Sequence, residues 1–236
     1  MKLLELAPGR WAHASGALWL NECQTAMFAD VHLGYGWALR RRGQLGPVQE
    51  GAVRRKLMDT IAELQPKTIV FVGDVVHAPR PAPLERDAVE ATLSELAQMA
   101  RLVLIPGNHD RGFHKDYPGA EVRLAPEWRE CGLHAVHGHV LPATDQHLVL
   151  GHIHPALGIV DHAGATQKVP VFVCSERLTI LPAFSPLSSG GDIRVHMPPE
   201  LARMLPPEAT RIVAASGKRV VALGPLSRLS RLPSAW

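Results

Sequence analysis

The chain has 236 residues, 46% of them hydrophobic and 20% charged, which suits a folded protein with a sizeable buried core. Its formal net charge of +3 is too mild to argue nucleic-acid binding from charge alone, and no apolar run reaches the roughly 18 residues of a membrane span. Cys23, Cys131 and Cys174 are odd in number and form no CxxC pair, and the opening residues lack a signal-peptide pattern; together these predict a soluble cytoplasmic protein whose reduced cysteines pack as small apolar residues.

In chain order, residues 16–29 predict a hairpin, with strands at Leu18–Leu20 and 25–29 about a turn at Asn21-Glu22, running into Asp30-Val31-His32. Arg40-Arg41-Arg42-Gly43 reads as a polar loop. Val53, Leu57, Ile61 and Leu64 recur at helical spacing and predict a helix over 48–64, stopped by Pro66. Thr68–Val72 predicts a buried strand that ends at Gly73-Asp74. Pro79, Pro81 and Pro83 lead to a second helix over 84–100, with Val89, Leu93 and Leu96 on one face. Arg101–Ile105 then predicts another buried strand, which delivers Gly107-Asn108-His109-Asp110. Strands alternating with helices favour a parallel arrangement with the helices packed on the sheet.

The second half changes character. Short apolar runs at 133–136, 147–150, 169–173, 178–181 and 193–195 are separated by Gly and Pro and predict a strand-rich half. A short helix near 199–204 and strands at 211–214 and 219–223 would follow. No repeat or linker interrupts the chain, so one α/β domain over 1–236 is expected, a two-sheet sandwich with helices outside.

Five polar clusters sit just after five of these apolar runs: Asp30-Val31-His32, Gly73-Asp74, Gly107-Asn108-His109-Asp110, His137-Gly138-His139 and Gly151-His152-Ile153-His154. Ligand sites in open α/β sheets lie beyond the carboxyl ends of strands, so clusters far apart in sequence can face one cleft. Carboxylate, imidazole and amide oxygen without thiolate suit Mn, Fe or Zn. Asp30 and His32 would hold one ion, Asn108 and histidines of the second half another, and Asp74 would bridge them. Such a pair is a recurrent device for in-line attack at phosphorus by a shared hydroxide. His109 would then protonate the leaving oxygen. Arg40, Arg41 and above all Arg42 are candidates for contacting substrate phosphates.

In this order the five clusters resemble the calcineurin-like metallophosphoesterase superfamily over residues 30–154. The resemblance implies a four-layer α/β/β/α sandwich of two mixed sheets and outer helices, without a separate capping domain. It implies that Asp30, His32, Asp74 and His154 hold one divalent ion, and that Asp74, Asn108, His137 and His152 hold the other, with His109 as general acid. His137 is preferred to His139 because it directly follows its strand, and His139 and Asp110 would then support the ligands. Residues 16–34, Arg41-Arg42-Gly43, Gly151-His-Ile-His-Pro155, residues 180–184 and Gly190-Gly191 are more narrowly similar to the bacterial ligase-associated DNA damage response phosphodiesterases called PdeM. That likeness implies an endonuclease functionally linked to a DNA ligase, a helicase and an exonuclease. Two divalent ions are expected at the clusters, Mn before Fe or Zn, and a homo-oligomer is left open.

Where protein phosphatases of the superfamily carry an Asp that orients the catalytic His, this chain has His77 in Gly73-Asp-Val-Val-His-Ala-Pro79. A nucleic-acid or nucleotide-type phosphodiesterase is therefore the leading expectation. A hydrolase of a small phosphomonoester or pyrophosphate is the alternative, and a non-catalytic scaffold of the same fold the second. The remaining histidines, His13, His114, His134, His147, His162 and His196, lack motif context and are mostly expected at the surface. Residues 185–191 could form a turn whose amides approach the site, with a hairpin connection as the preferred expectation.

Overall fold

The apolar runs form two mixed β-sheets in a computed structural model that describes residues 1–41, 43, 50–77, 79–160, 164–188 and 190–229. Strands β1 (Leu3–Ala7), β2 (Arg10–His13), β3 (Leu18–Leu20) and β4 (Thr25–Phe28) pair antiparallel in succession. Helices α1 (Tyr35–Arg41) and α2 (Glu50–Leu64) lead to β5 (Thr68–Val72), α3 (Pro83–Met99) leads to β6 (Arg101–Ile105), and the single turn α4 (Phe113–Asp116) leads to β7 (Arg123–Leu124). From β4 to β7 the strands are parallel, the arrangement that needs a crossover between neighbours.

The second sheet contains β8 (Trp128–Glu130), β9 (Leu133–Val136), β10 (His147–Leu150), β11 (Pro155–Val160), β12 (Thr166–Cys174), β13 (Leu178–Ile180) and β14 (Gly191–Asp192). After the single turn α5 (Pro199–Ala202), β15 (Arg211–Ala215) pairs with β12, and β16 (Val220–Pro225), followed by α6 (Leu226–Leu229), pairs with β15. β10 runs parallel to β9 and β13, so β9 and β10 deliver their carboxyl ends to the same edge.

Side-chain alternation builds the layers. Ile69 and Phe71 of β5 and Leu102 and Leu104 of β6 face α2 and α3, while Val70, Val72, Val103 and Ile105 face the second sheet. There they meet Ala135, Val149, Phe172 and Val213. The opposite faces of those strands, with Val136, Leu148, Val171 and Ile212, pack on Leu201 and Leu229 of the outer helices. Three apolar interfaces between four layers make an α/β/β/α sandwich, and strands covered on both faces explain why 68–72 and 101–105 are apolar at nearly every position.

Several expectations are corrected. Residues up to Arg41 of the supposed polar loop belong to α1, where Arg41 pairs with the buried Glu85 at 2.7 Å and Arg40 lies over the Trp37 ring. Arg42, residues 48 and 49 of the expected helix, and His162 fall outside the described residues. Residues 193–195 form a turn rather than a strand, because Asp192 accepts hydrogen bonds from the backbone and side chain of Arg194 and from the Gly158 N–H. Cys23 and Cys131 are not isolated thiols: they form a disulfide between the β3–β4 and β8–β9 turns, 108 residues apart in sequence. The argument from unpaired cysteines for a reducing compartment therefore fails, and Cys174 alone is a buried free thiol. His13 and His134 are buried and His147 is partly so, leaving His114 and His196 as the exposed members of that set among the described residues. No helix among the described residues is long and apolar enough to cross a membrane.

One cation ties the first helical layer to the second half. Lys56 of α2 donates to the Phe184 carbonyl at 2.6 Å and lies 4.1 Å from the centre of its ring. Burial lowers its pKa from 10.5 to about 8. Between those values the unfolded chain holds a proton that the native chain has lost, so stability rises with pH across the window, by on the order of 3 kcal/mol. Urea denaturation at pH about 7.5, 9 and 10 should show this rise in the wild type and not in Lys56→Met.

Candidate metal centre

Every one of the five polar clusters lies at a strand's carboxyl end: Asp30 and His32 after β4, Asp74 after β5, Asn108 to Asp110 after β6, His137 after β9 and His152 and His154 after β10. Two groups of side chains converge. In one, ligand atoms of Asp30, His32 and His154 lie within 4.8 Å of one another; in the other, those of Asp74, His137 and His152 do the same. Asn108 joins the second group, its Oδ1 being 3.2 Å from His137 Nε2. Asp30 and Asp74 are 0% and 2% exposed.

The backbone is forced to make this possible. Asp30, His32, Asp74, His152 and His154 all adopt positive φ, between 47° and 64°. They are five of the nine non-glycine residues in that region among the described residues, so the costly left-handed conformation is concentrated at the clusters. Two glycines make room beside them: a Cβ at Gly73 would collide with the His137 ring, and one at Gly107 with the Asp74 carboxylate.

Hydrogen bonds hold the carboxylates from several directions. Asp30 accepts from the His152 N–H at 3.0 Å, across the two sheets, and its Oδ1 lies 3.0 Å from His154 Nε2. Asp74 accepts from the His109 N–H at 2.8 Å. Asp110 accepts from the Gly107 N–H at 2.9 Å and the Val76 N–H at 3.1 Å, bracing the loop after β5 against the loop after β6, and burial pushes its pKa up to about 6. Burial and the neighbouring imidazoles push His32 down to about 2. Burial, then the neighbouring His137, lowers His152 as well. For His154 burial opposes the charge, but the hydrogen bond and charge of Asp30 outweigh it and the pKa is raised.

The donor set fits divalent cations. His137 Nδ1 lies 3.1 Å from the Val72 carbonyl, which can only accept, so the neutral ring carries its proton on Nδ1. Nε2 then turns a lone pair toward Asn108 Oδ1 at 3.2 Å and Asp74 Oδ2 at 3.5 Å, and its neighbour is His152 Nδ1 at 3.1 Å. Lone pairs facing lone pairs repel, and a cation among them turns the repulsion into coordination. In the other group, His32 Nδ1 is buried without a hydrogen-bond partner.

His109 stands beside both groups. Its Nδ1 lies 2.5 Å from the His77 carbonyl, and its ring centre lies 5.0 Å from that of His32. The main chain of His77 thus does the orienting that a carboxylate does in the protein phosphatases, and stacking on Tyr35 at 3.9 Å holds the His77 ring. His32, His77 and His109 also bring ring nitrogens within 4.8 Å of one another. The hairpin connection preferred for residues 185–191 is not what forms: the Ser185 N–H donates to the Asp30 carbonyl and the Gly191 N–H to the His154 carbonyl, and the preceding Phe184 N–H donates to Ala29, so these amides approach the first group's backbone, as in the alternative expectation. His139 is exposed and outside the second group, with its ring 5.4 Å from that of His137.

The family model described as calcineurin-like phosphoesterase matches residues 24–170, more than half of the chain and all five clusters. The chain belongs to that family. The match supports a metal-dependent phosphoester hydrolase, and the strand-end carboxylates and imidazoles all lie within the matched residues. No curated protein matches the chain. Among solved structures, nuclease MPE of Pseudomonas putida shares the fold with a TM-score of 0.70 and 24% identity, over 94% of this chain and 98% of that one.

Reconstituted protein should bind two divalent ions per chain, measured by elemental analysis after gel filtration. His137→Ala should lose about one of them, whereas His139→Ala should keep both. The opposite pattern would exchange the two residues' places.

Proposed function

We propose that the protein is a two-metal phosphodiesterase acting on nucleic acid or nucleotide-type diesters, with DNA repair as its setting and the whole chain as one catalytic domain. The observation that carries the proposal is the placement of His109. Its backbone is fixed on Asp74 and its Nδ1 on a carbonyl, leaving Nε2 as the position from which a proton is given. A protonated imidazole so held gives its proton to the departing ester oxygen.

Asp30, His32, Asp74 and His154 hold one cation in this proposal, and Asp74, Asn108, His137 and His152 the other, with Asp74 common to both. Two divalent cations, manganese first and iron or zinc as alternatives, supply positive charge to the phosphoryl oxygens and lower the pKa of water. Asp110 keeps the two ligand loops in register, and Gly107 lets the chain approach Asp74 closely. Arg41 is engaged by Glu85, so phosphate contacts are sought at the cation centre rather than at that arginine.

Nucleic acid as substrate is supported by the nuclease activity named for the Pseudomonas putida structure and by the motif resemblance to PdeM. The same resemblance supports a functional link to a DNA ligase, a helicase and an exonuclease, and a homo-oligomer remains compatible with it.

With manganese, the protein should hydrolyse bis(4-nitrophenyl) phosphate and cleave a DNA strand. His109→Asn should retain its metal and lose about 10²- to 10⁴-fold in kcat on DNA. It should lose less on the aryl ester, whose leaving group departs without a proton. A metal-loaded protein that leaves both substrates intact would refute the proposal.

A further inference from the structure

Two cavities of about 390 and 400 Å³ flank the second ligand group and meet at His139. One is walled by Pro106, Pro126, Val136, Val140 and Pro142 and includes His137. The other is walled by Leu141, Ile153, Pro198 and Leu201 and includes His152. His139 and Gly138 line both. Each groove therefore includes one imidazole of the Asp74–His137–His152 group, and the exposed His139 borders both.

We propose that these grooves are two substrate subsites, one for each organic substituent of a phosphodiester seated at that group, with His139 as the partition. The proposal rests on the phosphodiesterase function above and adds what the enzyme grips besides the phosphate. A monoester has a single substituent and leaves one groove empty, whereas a diester has one for each.

The chemistry of the walls defines the occupants. Among the described residues, no lysine or arginine lines either groove, and the exposed Glu200 lines the second. A further phosphate is thus unwelcome there, and the proline, valine and leucine surfaces suit flat, uncharged rings. Each volume lies near the lower end of the roughly 300–1,000 Å³ of small-molecule sites, enough for one aromatic ring system. Because His139 stands between the grooves, the two rings must be splayed apart rather than stacked on each other.

Binding and turnover together test this. Isothermal titration of the manganese-loaded full chain should show diphenylphosphinate, which cannot be hydrolysed, binding at least about tenfold tighter than dimethylphosphinate, the gain expected from burying aromatic rings. Val140→Trp fills the first groove from a side chain that is 69% exposed, and Glu200→Trp fills the second from the surface, so both should fold. Each should lower that ratio severalfold and leave dimethylphosphinate binding unchanged. In turnover, kcat/KM should favour bis(4-nitrophenyl) phosphate over methyl 4-nitrophenyl phosphate by about threefold, the share of one ring where the phosphinates differ by two, and each variant should erase the preference through KM. Equal binding of the two phosphinates, or an unchanged ratio in both variants, overturns the subsites. A retained phosphinate ratio without hydrolysis of any ester supports the subsites and refutes the phosphodiesterase function instead.

Discussion

Asp30 and Asp74 are carboxylates placed almost wholly out of water where two β-sheets meet, and the rest of the site follows from keeping them charged there. An ionised carboxylate taken from water costs several kcal/mol unless it is paired and hydrogen-bonded. The chain answers with amide N–H groups from His152 and His109 and with the ring of His154. The His152-to-Asp30 bond spans both halves of the sandwich, so it fixes the distance between the sheets at the edge where chemistry is expected. Imidazoles held neutral by burial, His32 above all, complete a surface of lone pairs that calls for cations.

Local geometry carries the cost. Strands aim their last residues along the sheet, yet five side chains must turn back into a shared space, and the left-handed backbone at Asp30, His32, Asp74, His152 and His154 performs that turn. Glycines at 73 and 107 let neighbouring loops close over the bend. The segment around Ser185, bonded to the Asp30 carbonyl and anchored through Phe184 to Lys56, braces the strained loop from behind. Strain at the site is thus held by packing in the helical layer, some distance from the candidate ligands.

Much of this was legible in the residues. Strands β5 and β6, covered on both faces, advertise themselves as continuous apolar runs, and α2 and α3 by their 3.6-residue periodicity. Clusters at strand ends revealed the candidate ligands, and the Gly-Asn-His-Asp motif revealed His109. What stayed hidden depends on tertiary contacts. β1 and β2 are defined by register rather than composition, and β14 is two residues made a strand by pairing with β11. Residues 193–195 are apolar enough for a strand, but Asp192 captures the following arginine and turns the chain. Nothing local pairs Cys23 with Cys131. His77 could be seen as a departure from the phosphatases, but the service of its carbonyl to His109 belongs to the main chain and has no letter in the sequence.

Sharing of Asp74 between two cations is the central claim, and anomalous X-ray scattering from manganese-loaded crystals tests it most directly. The account predicts two manganese peaks about 3.5–4 Å apart with the Asp74 carboxylate between them. A single peak, or two peaks that Asp74 does not join, would contradict it.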